Sequence, residues 1–252
     1  FTGKGIYDVD AFQAAMQGRI EPDSVLSHDL LEGIFARAGL VSDIEVVEAF
    51  PPRHDLAAAR QHRWTRGDWQ LAGRMVDPAT PILGRVKIAD NLRRSLMAPF
   101  VLASLLAGWL SPHAGMATLL LLSVLALPVF LPTLLGMIPR GPALDTAGHL
   151  RQCLGDLRAA VIQVVLMISL LPDTAWRMGD AILRTQWRLR ISRRHLLEWT
   201  TAAQDQVGPK PDLGSLARRM AGGLVLSLGI AAAVALLTPS SVLLVLPFLL
   251  LW

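Results

Sequence analysis

The chain has 252 residues, of which 52% are apolar and 6% aromatic, with a formal net charge of +4. Apolar content at that level, gathered in Leu-rich runs, excludes an ordinary soluble domain and predicts a protein with both a soluble and a membrane part. The single cysteine, Cys153, excludes an intrachain disulfide and a cysteine-cluster metal site, and the six histidines form no HExxH-type pair.

Residues 1–50 have the texture of a soluble α/β domain. FTGKGIYDVDAF reads as a short strand with a glycine-rich turn, then a helix capped by Asp8 or Asp10 and stopped near Gly18. SHDLLEGIFARAGL places apolar residues at 30, 31, 34, 35 and 38, a helical stripe that Ser27 or Asp29 caps and Gly39 ends. VSDIEVVEAF alternates around Ile44, Val46 and Val47 and reads as a strand. Pro51 and Pro52 then break the chain.

The stretch DLAAARQHRWTRGDWQ, from Asp55 to Gln70, is a cationic, aromatic helix by its spacing: Arg60 falls beside Arg63 and Trp64. It has two readings. One is an interfacial helix with Trp at headgroup level and Arg near lipid phosphates. The other is a wall for a phosphorylated sugar, with Arg on the phosphates and Trp on a sugar face.

Apolar runs follow. Leu96–Leu110 and Ala114–Ile138 carry no charge, and Met220–Leu237 and Val242–Trp252 form a second pair. A spanning helix needs about twenty residues, which Ala114–Ile138 supplies outright. Ala159–Leu171 is shorter and is expected to be re-entrant or to lie on the surface, and 173–204 reads as an amphipathic helix on the inner leaflet. Arg85, Lys87, Arg93 and Arg94 precede the first pair, Arg140, Arg151 and Arg158 follow it, and Arg218 and Arg219 precede the second. The turns SPHAG and TPSS carry no Lys or Arg. The positive-inside rule thus places the basic segments and the soluble part in the cytoplasm. Basic residues that flank apolar runs point to membrane anchoring rather than to nucleic acid. The opening at Phe1, without a leader pattern, and the close inside an apolar run read as an internal piece of a longer protein.

Two acidic motifs carry candidate chemistry. Asp29, in Ser27-His28-Asp29, is a helix N-cap by local sequence. Asp8-Val9-Asp10 has the DxD form of a metal motif, but its place at a helix start makes capping the expected use. Asp29, the Gln-Arg-Trp helix and then membrane spans, in that order, resemble the processive family 2-type glycosyltransferases. FTGKGIYDVDAF, SHDLLEGIFARAGLVSDIEVVE, AAARQHRWTRGDWQ and LRTQWRLRISRRHLLEWTTAAQ resemble more closely the glycosyltransferase (family 84) region of the cyclic β-1,2-glucan synthases.

That resemblance implies an α/β fragment of glycosyltransferase-A type, followed by α-helical transmembrane and interfacial helices. It divides the chain into the end of a catalytic domain (1–54), interfacial helices (55–94), a hairpin of spans (95–138), a cytoplasmic amphipathic segment (139–219) and a second hairpin (220–252). It implies a multi-pass protein of a bacterial inner membrane that makes β-1,2-glucan from UDP-glucose with inversion, feeding the growing glucan into a path between the spans. Asp29 would be the general base, with Ser27 and His28 positioning. Arg63 would contact the donor diphosphate and Trp64 stack on sugar. Gln61 stands two places before Arg63, where the family has Gln three before and this chain has Arg60. Thr2, Gly3 and Lys4 match a segment that lines the acceptor site, with Thr2 in place of Cys and Lys4 in place of Ser. Mg2+ or Mn2+ would accompany UDP-glucose on a DxD expected upstream, leaving this segment inactive alone, and a phosphorylase-like domain is expected downstream. Two rivals stand beside this reading: an osmoregulated periplasmic glucan glucosyltransferase, which shares the Ser-His-Asp tripeptide, and a non-catalytic scaffold or transporter subunit.

Overall fold

The computed structural model describes residues 6–19, 24–26, 29–37, 39, 41–47, 53–138, 146–198 and 212–252. Nine helices follow one another among the described residues: α1 Val9–Met16, α2 Asp29–Phe35, α3 His54–Gln70, α4 Ile82–Trp109, α5 Ala114–Gly136, α6 Thr146–Ser169, α7 Leu171–Trp187, α8 Leu213–Leu237 and α9 Val242–Leu251. The chain divides into two compact units. One comprises Phe1–Met97 with Arg177–Arg219, the other Ala98–Trp176 with Met220–Trp252.

The expected strands are not formed among the described residues. Ile6–Asp8 and Val41–Val47 are irregular; residues 1–5 and 48–50 lie outside the description. A strand's N–H and C=O groups need a neighbouring strand to pair with, and the described residues provide none. Ile44, Val46 and Val47 remain exposed, Val47 at 96%.

Local signals for α1 are met. The Asp8 side chain accepts a hydrogen bond from the Ala11 N–H at 2.8 Å, an N-cap. Gly18 lies just past the helix at a φ of 71°, the left-handed setting that glycine adopts without strain. α2 buries Leu31 completely, in a core with Leu71, Ile88 and Leu92 that Val25, Ile34, Phe35 and Trp69 flank. Arg19 stacks over Phe35 at 4.5 Å while its carbonyl accepts from Arg74 Nη2 at 2.5 Å, which ties the end of α1 to the 3-10 turn Ala72–Met75. These contacts belong to the first unit.

The second unit is organised on Trp109, which is fully buried. Its indole N–H donates to Thr118 Oγ1 at 2.9 Å, and its ring lies 5.2 Å from that of Phe248 and 5.9 Å from that of Trp252. Its carbonyl accepts from Thr238 Oγ1 at 3.2 Å and Ser241 Oγ at 2.9 Å, fixing the 3-10 turn Pro239–Ser241. The polar groups of Trp109, Thr118, Thr238 and Ser241 at this apolar core are thus paired with one another, as burial requires. α5 packs on α6, and the Trp252 indole N–H closes the group by donating to the Ile168 carbonyl at 2.8 Å.

Among the described residues, three helices are long and apolar enough to cross a membrane: Ala114–Gly136, Thr146–Ser169 and Gly214–Leu237. The apolar segment Ala159–Leu171 thus lies mostly in a 24-residue helix that begins at Thr146. α4 is apolar only from Leu96 onward; its first half carries Arg85, Lys87, Arg93 and Arg94.

Candidate functional site

α3 has two faces, and its sequence assigns them against simple hydropathy. Asp55, Ala58, Thr65, Arg66 and Gly67 are buried. Gln61 is exposed, Trp64 is 41% exposed, and Arg60 and Arg63 are half-buried. At about 100° per residue, 55, 58, 62, 65, 66 and 69 share one side while 60, 61 and 64 share the other.

The inward side is a ladder of polar contacts. His62 Nε2 meets Asp180 Oδ2 at 2.9 Å, and Thr65 Oγ1 donates to the Met178 sulfur at 3.2 Å, both on the part of α7 within this unit. Arg66 Nη1 donates to the Glu198 carbonyl at 3.0 Å, and Gln70 Nε2 to the Leu196 carbonyl at 3.0 Å. Gln70 Oε1 in turn accepts from the Leu26 N–H at 2.6 Å, which holds the approach to α2. Trp69 Nε1 donates to Ser95 Oγ at 2.8 Å, and Asn91 Nδ2 to Asp68 at 2.8 Å. At the start of α3 the buried Asp55 accepts from Arg53 at 2.6 Å and from Arg219 at 3.0 Å.

The electrostatics follow from these partners. The hydrogen bond from Arg53, with Arg219 beside it, holds Asp55 below the usual carboxylate range despite burial. Burial pushes the His62 imidazole down, against the raising influence of Asp180. Neutral His62 still has an N–H to donate, so the pair is a hydrogen bond from imidazole to carboxylate. Burial raises Asp180, but hydrogen bonds from Arg184 and His62 outweigh it and the net direction is down. Asp68 is raised by burial, which Asn91 and Arg94 only partly offset.

On the outward side, the Arg60 guanidinium lies over the Trp64 ring at 4.8 Å. Such a cation–π contact holds the indole in one orientation and covers one of its faces. Asp29 stands in the first turn of α2, exposed, with no hydrogen bond or ion pair among the described residues. It lies two residues before the fully buried Leu31, so its backbone is anchored to the core that includes Trp69 of α3.

Asp29, Gln61, Arg63 and Trp64 are thus all carried by the first unit. Thr2, Gly3, Lys4, Ser27 and His28 lie outside the described residues. Sequence reasoning passed over His62, Arg66 and Gln70, which hold α3 in place. Their spacing at four-residue intervals was the available signal, masked by their polarity. No group of three or more His, Cys, Asp or Glu side chains able to hold a metal forms among the described residues. Asp8, one half of the literal DxD, uses its carboxylate as a cap.

No family model matches the chain. Along its whole length it is 43% identical to cyclic beta-(1,2)-glucan synthase NdvB of Rhizobium meliloti, of which it spans 9%. That is the family to which the motifs around Asp29 and Trp64 pointed.

Proposed function

We propose that this chain, related along its whole length to a cyclic β-(1,2)-glucan synthase, is the part of a membrane glucosyltransferase that carries the base and one wall of the donor site. Asp29 takes the proton from an acceptor hydroxyl as that oxygen attacks the anomeric carbon of UDP-glucose, and the configuration inverts. One carboxylate suffices, because a leaving diphosphate needs charge neutralisation rather than a proton. Arg63 supplies part of that neutralisation, and Trp64 offers the indole face left open by Arg60 to a sugar ring. The product is β-1,2-glucan, and the protein resides in a bacterial inner membrane with its catalytic part in the cytoplasm.

The observation that carries this reading is the division of α3. One side is bonded at His62, Thr65, Arg66, Trp69 and Gln70, so the other side holds Arg60 and Trp64 in a set orientation. A helix needing only to lie on lipid has no use for such a rigid setting. The described residues do not fit a divalent-metal site. The exposed apolar alternation of Val41–Val47 fits an edge added to a sheet supplied by the rest of the transferase.

The test is UDP binding by the full-length protein, measured by calorimetry. Arg63→Ala is expected to weaken binding at least tenfold, about the worth of one charge-assisted hydrogen bond. Unchanged binding would favour a non-catalytic scaffold.

A further inference from the structure

α7 runs into a π-helical turn, Arg188–Ser192, and the chain then turns sharply through Arg193 at a φ of 49° and His195 at 59°. Two non-glycine residues in the left-handed region within three positions are a costly arrangement. π turns are likewise rare, and both features gather at functional sites. Among the described residues, the segment is anchored by Arg188 and by α3. Arg188 donates to the His195 carbonyl at 2.7 Å and to Glu198 at 2.6 Å, and α3 holds the Leu196 and Glu198 carbonyls.

Those anchors consume the local acids. Glu198 pairs with Arg188, and Asp180 with Arg184 and His62. Arg190, Arg193 and Arg194 are exposed and have no acidic partner among the described residues. Arg66, which donates to the Glu198 carbonyl, is 8% exposed with Nη2 buried and unbonded among the described residues. Beside the exposed arginines lies an open cavity of about 380 Å3, lined by Arg193, His195, Leu196, Leu197 and Glu198. Trp187 and Ile191, one turn apart, are 58% and 61% exposed.

We infer that this turn is a binding site for the phosphate headgroup of an acidic phospholipid. Arg190, Arg193 and Arg194 supply the cationic contacts, and Trp187 and Ile191 enter the lipid boundary beside them. Exposed cations next to an exposed indole and an aliphatic side chain match a headgroup with its acyl chains, whereas a free anion has no use for the apolar pair. The backbone distortion carries Arg193 and His195 out of the helical path and around the cavity. The inference stands apart from the transfer chemistry assigned to Asp29.

The experiment places the full-length protein in phosphatidylcholine nanodiscs containing brominated phosphatidylglycerol or brominated phosphatidylcholine. Quenching of Trp187 is read as the difference between wild type and Trp187→Phe. Brominated phosphatidylglycerol is expected to quench at a mole fraction at least about tenfold lower than brominated phosphatidylcholine, more than the roughly fivefold that a single arginine near an anionic surface contributes. The triple variant R190Q/R193Q/R194Q should bring the two lipids within about twofold of each other. Arg193→Gln alone, the milder change, should reduce the preference several-fold. Equal quenching by both lipids in the wild type would overturn the site, as would an undiminished preference in both variants. Loss of the preference in millimolar inorganic phosphate at constant ionic strength would show a free-anion site and overturn the lipid assignment.

Discussion

The His62 ring and the Asp180 carboxylate meet at 2.9 Å across 118 positions of sequence, and this contact fixes which side of α3 turns inward. Because His62 sits between Gln61 and Arg63, its inward setting turns Gln61 and Trp64 the other way. The pH behaviour of the pair follows from the imidazole being pushed down by burial. A depressed histidine contributes stability that is present above its unfolded pKa, near 6.5, and lost as pH falls through the folded value. Thermal unfolding is expected to show wild-type stability declining below about pH 6.5, and His62→Gln is expected to flatten that decline. At pH 8 the same variant should cost no more than about 1–2 kcal/mol.

Asp68 predicts the opposite sign. Burial raises its carboxyl, so its contribution is present below the unfolded value of 3.8 and lost as pH rises through the folded one. At pH 7 the ionised carboxylate therefore costs stability. Asp68→Asn keeps an oxygen for the Asn91 amide and removes the charge. It is expected to raise the melting temperature at pH 7, within about 1 kcal/mol, with the advantage gone below about pH 4.

In the second unit, α8 comes close to the start of α7 at Gly223. A Cβ there would stand 2.7 Å from Asp173 Cα and 2.8 Å from its backbone nitrogen. Backbone cannot yield as a flexible side chain does, so Gly223→Ala should destabilise by about 1–3 kcal/mol. Gly229→Ala, on the same helix with nothing within 4 Å, should be close to neutral. Melting of the detergent-solubilised protein would compare the two.

Trp64 predicts a kinetic signature. If its free face stacks on sugar, Trp64→Ala should reduce kcat/KM about three- to tenfold, the worth of an aromatic contact, and Trp64→Phe should recover most of it. Arg60→Ala should have a smaller effect, through a less ordered indole. Steady-state glucose incorporation by the full-length protein checks all three variants.

Much of the helical framework was legible because its signals are local. Asp8 as a cap, Gly18 as a stop and the apolar run Ala114–Ile138 each depend on residues within a few turns. Val41–Val47 is read as a strand because alternation reports a side-chain pattern, whereas a strand forms only with a partner, which the described residues do not supply. The inward side of α3 was illegible for another reason. Asp55, Thr65 and Arg66 are polar yet buried, while Trp64 is apolar yet exposed, so the usual hydropathy of a helix is reversed there. Beside the local Arg53, partners more than a hundred residues away on Asp180, Glu198 and Arg219 make that arrangement affordable in free energy. Asp29, Arg63 and Trp64 are proposed from family resemblance and the order of motifs; the structure adds the contacts that hold α2 and α3.

The most direct measurement of the central claim is incorporation of labelled glucose from UDP-glucose by membranes containing full-length Asp29→Asn protein. Expression and membrane insertion are expected to match the wild type, because Asp29 is exposed and bonded to nothing among the described residues. Incorporation should fall by at least a hundredfold, the usual scale for loss of a general base. Incorporation near the wild-type rate would contradict the assignment of the base and the reading of the site built around it.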